Sequence, residues 1–185
     1  MEALDALLNR VSVPRLTEPA PTPAQREVLF QAALRAPDHG QLRPWRFLTI
    51  EGQALEQMGE VLAEAVQLKG DASDAALDKA RGMPLRAPLV VVVIACLQDH
   101  HKVPRSEQLL AAGCAAHGIL LAAHAQGIGA VWRTGELSYA PSVAQRLGLT
   151  EGEEVIAFLY LGTPAKELRE APKVDTADFV QAWTA

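Results

Sequence analysis

The chain predicts a sheet covered by helices, of the mixed α/β or α+β class. Two runs apolar on both faces, "LVVVVIACL" and "EEVIAFLYLG", read as fully buried central strands. Segments with apolar residues at helical spacing fall between and around them, and the element order runs αα-β-αα-β-α-β-α-β. At 185 residues the chain has the length of one domain that buries most of its unfolded surface, and no repeat, low-complexity stretch or linker divides it.

The elements follow in order. Glu2 to Asn9 forms a short helix with Leu4, Leu7 and Leu8 on one face. "RVSVPRLTEPAPTP" holds four prolines and reads as loop or extended chain. Thr22 caps the next helix, with Pro23 at its first position and Gln25 completing a capping box; the helix runs to about Arg35, before Pro37. "WRFLTIE", Trp45 to Glu51, is the first strand. Gln53 to Leu68 has helical spacing at Leu55, Met58, Leu62 and Val66, and Ser73 to about Gly82 is a more polar helix. A long Ala-rich helix spans about Pro104 to Gln126 and stops at Gly127. "GAVWR" is a short strand, and Pro141 opens a helix through Leu147. Beyond Pro164 the tail has little pattern, yet Phe179 and Trp183 imply that it docks on something.

Composition narrows the function classes. With 49% hydrophobic and 21% charged residues and a net charge of −5, the chain reads as globular and not as a general nucleic-acid binder. The N-terminus lacks a basic region followed by an apolar core, so no secretory signal is visible and a cytoplasmic protein is expected. The Ala-rich helix contains His117, His124 and Gln126, which fits a core or subunit-interface helix better than a membrane span. Cys96 and Cys114 lie in apolar runs without CxxC spacing and read as buried free thiols. His117 and His124 share a helical face without a neighbouring carboxylate, so they read as satisfied core histidines, and no metal site is expected.

Three clusters at element ends can carry chemistry. Arg10, Ser12 and Arg15 can grip a phosphate, or Arg10 and Arg15 can simply complement a helix C-terminus. "RAPDHGQLRPWRF", Arg35 to Phe47, is either a stiff pocket wall in which Arg35 or His39 donates to an anion, or a Pro-capped helix exit over a core Trp45. "GIGAVWRTG", residues 127–135, has its glycines after a helix and before a strand, the reverse of a dinucleotide fingerprint. Trp132, Arg133 and Thr134 then emerge together as an apolar plate, a cation and a hydroxyl. Lipase, Walker and HExxH motifs are absent, and no carboxylate pair suits hydrolysis. A chain with phosphate grips and no acid–base machinery leaves the chemistry to a cofactor.

Together these segments resemble the FMN-dependent nitroreductase family, in particular its short bacterial subgroup of NAD(P)H nitroreductases. "LLNRVSVPRL" is similar to the family's helix followed by Arg-x-Ser, and "RAPDHGQLRPWRF" to the subgroup's A-P-D-H…P-W signature. "AAHAQGIGAVWRTG" resembles the helix-Gly-x-Gly-x-x-W segment, and "PSVAQRLGLTEGEEVIAFLYLGTP" the closing P…GL…V…LGxP block. The resemblance spans nearly the whole chain.

It implies an α+β fold over residues 1–185: a mixed, mainly antiparallel sheet flanked by helices, in an intertwined homodimer whose residues 164–185 form an arm on the partner. It further implies FMN contacts from Arg10, Val11, Ser12, Arg35, His39, Trp132, Arg133 and Thr134, with the FMN sites at the subunit interface. The donor NADH or NADPH is implied at Ala122, Ala123, His124, Ala125, Gln126 and Gly127. The implied activity is hydride transfer through flavin N5 to a nitroaromatic or quinone in ping-pong order, with His39 a candidate proton donor; the alternative is an FMN-sequestering module. Val11 stands where the family commonly has a second arginine, so the grip on the phosphate rests on Arg10, Ser12 and Arg133. Asp38, His39 and Arg43 replace the wider family's P-S-x-x-N-x-Q-P pattern.

Overall fold

The two strands read as buried lie side by side at the centre of the sheet. The computed structural model describes residues 1–70 and 72–184. It contains α1 (Ala3–Asn9), β1 (Leu16–Thr17), α2 (Pro23–Ala33), β2 (Trp45–Glu51), α3 (Gln53–Gln67), α4 (Asp74–Arg81), β3 (Leu89–Cys96), α5 (Arg105–Ala125), β4 (Gly129–Arg133), α6 (Pro141–Arg146) and β5 (Glu153–Pro164). β3 lies between β2 and β5, and the far side of β5 is shared end to end by β4 and β1. Every strand pairing among the described residues is antiparallel, in keeping with the mainly antiparallel α+β sheet expected.

Strand alternation divides the interior into two cores. Val90, Val92 and Ile94 of β3 and Val155, Phe158 and Tyr160 of β5 face α3 and α4. Leu89, Val91, Val93 and Ala95, with Ala157, Leu159 and Leu161, face α2 and α5. This two-sided burial is why both segments lack a polar face in the sequence.

The capping box forms as expected: the Thr22 hydroxyl accepts from the Gln25 N–H, and the Gln25 side-chain oxygen accepts from the Thr22 N–H. α5 lays Ala111, Ala112, Ala115, Ala116 and Ala123 against the sheet. At Gly118 it passes so close to α2 that a Cβ would stand 2.9 Å from the Ala32 carbonyl oxygen. By length and hydropathy α5 could cross a membrane, but half of its apolar window is buried within the fold.

One expectation is sharpened and one needs correction. The proline-rich stretch read as loop or extended chain forms the short strand β1, where Leu16 and Thr17 pair with Pro164 and Thr163; two residues carry no period to read. The cysteines are free, but Cys114 is exposed on the outer face of α5 and Cys96 is only half-buried. Among the described residues after Pro164 the one regular element is a short 3-10 turn, Thr176–Asp178, and Phe179, Val180 and Trp183 are exposed.

Candidate functional site

β4 organises the candidate site. It pairs with β5 along one edge, and its other edge receives a main-chain hydrogen bond from the Val13 N–H to the Ala130 carbonyl at 2.9 Å. That bond brings the Arg10–Arg15 segment beside the strand that carries Trp132, Arg133 and Thr134. Two of the three sequence clusters therefore meet.

At one end of this junction lies a cleft of about 150 Å³ whose exposed lining is mostly apolar. Ser12 and Arg15 line it on one side, Lys166 and Arg169 on the other, with Glu167 among them. The β1–β5 pairing joins the two sides, continued by the Ala165 N–H donating to the Arg15 carbonyl at 3.1 Å. Lys166 and Arg169 escaped the sequence reading, which took everything past Pro164 as an arm. The signal was present as basic residues directly after a strand end. Val11 also lines the cleft and is 6% exposed, so the position that resembles a missing cation is an apolar anchor.

At the other end Arg133 and Thr134 border a cavity of about 500 Å³ between α3, α4 and β4. The Arg133 guanidinium lies 5.7 Å from the centre of the Tyr160 ring, and its buried Nε has no hydrogen-bond partner among the described residues. A buried donor left unpaired costs about 1–3 kcal/mol, so such an atom points to a missing acceptor. Burial raises the Tyr160 phenol above its ordinary pKa, while Arg133 and Arg86 pull it down. Trp132 packs toward the opposite, α5-side core. Period-2 alternation thus sends neighbouring Trp132 and Arg133 to opposite faces, and one ligand can touch both only along the strand edge.

The Arg35–Phe47 loop is built differently. The Asp38 carboxylate accepts from the Leu42 and Arg43 N–H groups at 3.2 and 2.7 Å. It thereby pins a turn in which Gly40, Gln41 and Arg43 all have positive φ. Two non-glycine residues in that region mark stored strain, which concentrates at functional sites. Asp38 therefore holds the loop, while His39 stands outward with Nδ1 2.6 Å from Glu107 Oε2. Arg35, just past α2, is exposed.

Glu107 begins the first turns of α5, and His124 lies near its end. Burial, then the neighbouring Arg10 guanidinium, lowers the His124 pKa, and its buried Nε2 lacks a partner among the described residues. This corrects the reading of satisfied core histidines: His124 is unsatisfied and His117 is exposed. The 17 residues from Glu107 to His124 span roughly 26 Å of helix. His39 and Arg10 therefore stand at opposite ends of α5, and one chain does not bring the second cluster to the other two.

Within residues 122–127, Ala123 is fully buried, and the Gln126 side-chain amide donates to the Ala122 and Gln25 carbonyls. Ala122 and His124 are half-buried, and Ala125 and Gly127 are exposed. Among the described residues no three metal-ligating side chains cluster.

Comparison with known proteins matches residues 7–163 to the nitroreductase family model. The chain is 44% identical over 178 residues to an Escherichia coli K12 protein named "Putative NAD(P)H nitroreductase YdjA", covering 96% of each. It is 41% identical over 182 residues to a Haemophilus influenzae protein of like name, covering 97% of this chain and 98% of that one. Among solved structures it is similar to a nitroreductase-like family protein from Bacillus cereus, with a TM-score of 0.84, 21% identity, and coverage of 100% and 97%. A nitroreductase with bound FMN from Desulfitobacterium hafniense matches at a TM-score of 0.71 and 20% identity over the full length of both chains.

Proposed function

The chain belongs to the nitroreductase family, and from that membership we propose an FMN-dependent oxidoreductase. NAD(P)H supplies its electrons, and an electron-poor acceptor such as a nitroaromatic or quinone takes them in ping-pong order. The observation that carries the reading is the junction at β4. A small cleft bordered by Ser12, Arg15, Lys166 and Arg169 lies on one side of it, and on the other an arginine whose buried Nε has no partner among the described residues. These groups fit FMN, which has a dianionic phosphate at one end and a flat ring system at the other.

Ser12, Arg15, Lys166 and Arg169 would hold the phosphate, Ser12 through its hydroxyl and the three cations through charge-assisted bonds. Arg10 would add charge from the His124 side. The Trp132–Thr134 edge of β4 would receive the ring, and Arg133 would balance negative charge developing beside it. FMN supplies two-electron hydride chemistry that no side chain of this protein offers.

Arg35 and His39 would come from a second copy of the chain, because α5 holds His39 far from Arg10 within one copy. The homodimer is thus part of the proposal, with the site at its interface and the 164–185 tail as an arm across the partner. A His39 delivered this way, its Nδ1 oriented by Glu107, would be placed to pass a proton to the acceptor. Within residues 122–127, Ala122, His124, Ala125 and Gly127 are the positions open to a nucleotide.

The absorbance spectrum of the purified protein tests this reading, followed by addition of NADH and NADPH in turn. Flavin bands that bleach within seconds support it. Bands that persist for minutes would favour a sequestering module, and a colourless protein that takes up no FMN would end it.

A further inference from the structure

The 500 Å³ cavity is lined by more basic than acidic residues among those described. Lys69, Lys79, Arg86 and Arg133 line it, and Glu136 is the one acid among the described lining residues. Glu136 already pairs with Lys69 at 2.8 Å. Among the described residues, Lys79, Arg86 and Arg133 have no carboxylate partner. In a protein of net charge −5, three cations without a carboxylate partner among the described residues form a local field for an anion around one concavity.

Much of the remaining lining is apolar, with Thr134, Ser138 and Tyr160 adding hydroxyls. Leu62, Val66, Ala80, Met83 and Phe158 shape the wall, and Tyr160 lies beneath Arg133. The volume falls within the roughly 300–1,000 Å³ of small-molecule pockets. The close approach of α3 and α4 fixes this wall: a Cβ at Gly59 would stand 2.5 Å from the Arg81 carbonyl oxygen, so the helices are locked together by the absent side chain. An apolar slot with guanidinium groups at its rim suits a flat ring bearing an acidic substituent, because the ring fills the slot and the acid takes a bidentate arginine.

We propose that this cavity is the acceptor pocket and that it selects aromatic molecules carrying a carboxylate, which Arg86 and Lys79 hold. The proposal rests on the flavin reading above, since Arg133 and Thr134 on its rim are what would join it to the flavin. Arg86 lay outside every cluster singled out in the sequence. It ends the short 3-10 turn Pro84–Arg86 that precedes β3, and it lines the cavity together with Tyr160.

Calorimetric titration of the protein as purified, with benzoate and with benzamide, tests it. Benzoate is expected to bind at least about tenfold more tightly than benzamide, and Arg86→Gln to reduce that preference to about twofold. In turnover, Arg86→Gln is expected to lower the ratio of kcat/KM for 4-nitrobenzoate over 4-nitrobenzamide by about tenfold, chiefly through KM. Lys79→Gln should move the same ratio in the same direction by a smaller factor. Equal binding of the two compounds, or an Arg86→Gln protein that keeps the full preference, would overturn the proposal. So would release of bound flavin by benzoate, which would make the cavity the flavin's own. A protein without flavin bands that still prefers benzoate would refute the flavin reading while leaving the cavity's anion preference intact.

Discussion

The two faces of the sheet are finished in opposite ways. On the α2/α5 face, alanines and Gly118 let helix backbones settle directly onto the strands and onto one another, and Ala112, Ala115, Ala116 and Ile119 are completely buried. On the α3/α4 face, larger side chains stand between helix and sheet, and β4 ends beside a cavity of about 500 Å³. The sealed face gives rigidity, and the open face gives room for ligand. Small residues close one face, and basic residues border the cavity on the other.

Adding volume to the sealed face should have the largest effect. Gly118→Val pushes side-chain atoms into the Ala32 carbonyl, and a loss of about 3 kcal/mol is expected. The shift of the urea midpoint reads it directly.

Next comes the ion pair that ties the sheet together across β3. Arg46 Nε and Nη2 donate to Glu153 at 2.6 and 2.8 Å, and this contact, chiefly, holds the Glu153 pKa near about 2, below its ordinary 4.5. A depressed folded-state pKa contributes stability above about pH 4.5 that is lost as pH falls toward 2. Glu153→Gln should therefore cost about 2 kcal/mol at pH 7. The difference from the unmodified protein should shrink toward zero in denaturant melts between pH 4.5 and 2.

A smaller effect is expected at the cleft proposed to hold the phosphate. Arg15→Ala should weaken FMN binding about tenfold, read by fluorescence titration, with stability nearly unchanged because Arg15 is exposed. The smallest belongs to the open face. Ala76→Val adds volume to the cavity wall and should shift stability by less than about 0.5 kcal/mol. A loss as large as that of Gly118→Val would erase the contrast between the faces.

What the sequence revealed follows the same division. β3 and β5 were legible because burial on both faces leaves no polar position, and α2 because Thr22, Pro23 and Gln25 form a complete capping signal. The clusters at Arg10–Arg15 and Trp132–Thr134 were legible as chemistry because basic and aromatic residues at element ends are unusual in plain connections. Their meeting point was not legible, since it depends on one hydrogen bond between Val13 and Ala130.

Lys166 and Arg169 stayed hidden for a related reason. They face Arg15 only through a two-residue strand pairing between segments nearly 150 positions apart. Asp38 was read as part of a possible pocket wall, whereas its two hydrogen bonds to main-chain N–H groups make it the brace of its own loop. The cavity beside Arg133 is a product of how α3 and α4 pack, which no local pattern encodes.

The most direct measurement titrates flavin-free protein with FMN and, separately, with riboflavin, following flavin fluorescence. The proposal that Ser12, Arg15, Lys166 and Arg169 hold the phosphate predicts that riboflavin, lacking it, binds at least about a hundredfold more weakly than FMN. Equal affinity for the two flavins would contradict that assignment of the cleft, as would FMN affinity that is unchanged in a protein carrying Arg15→Ala and Arg169→Ala together.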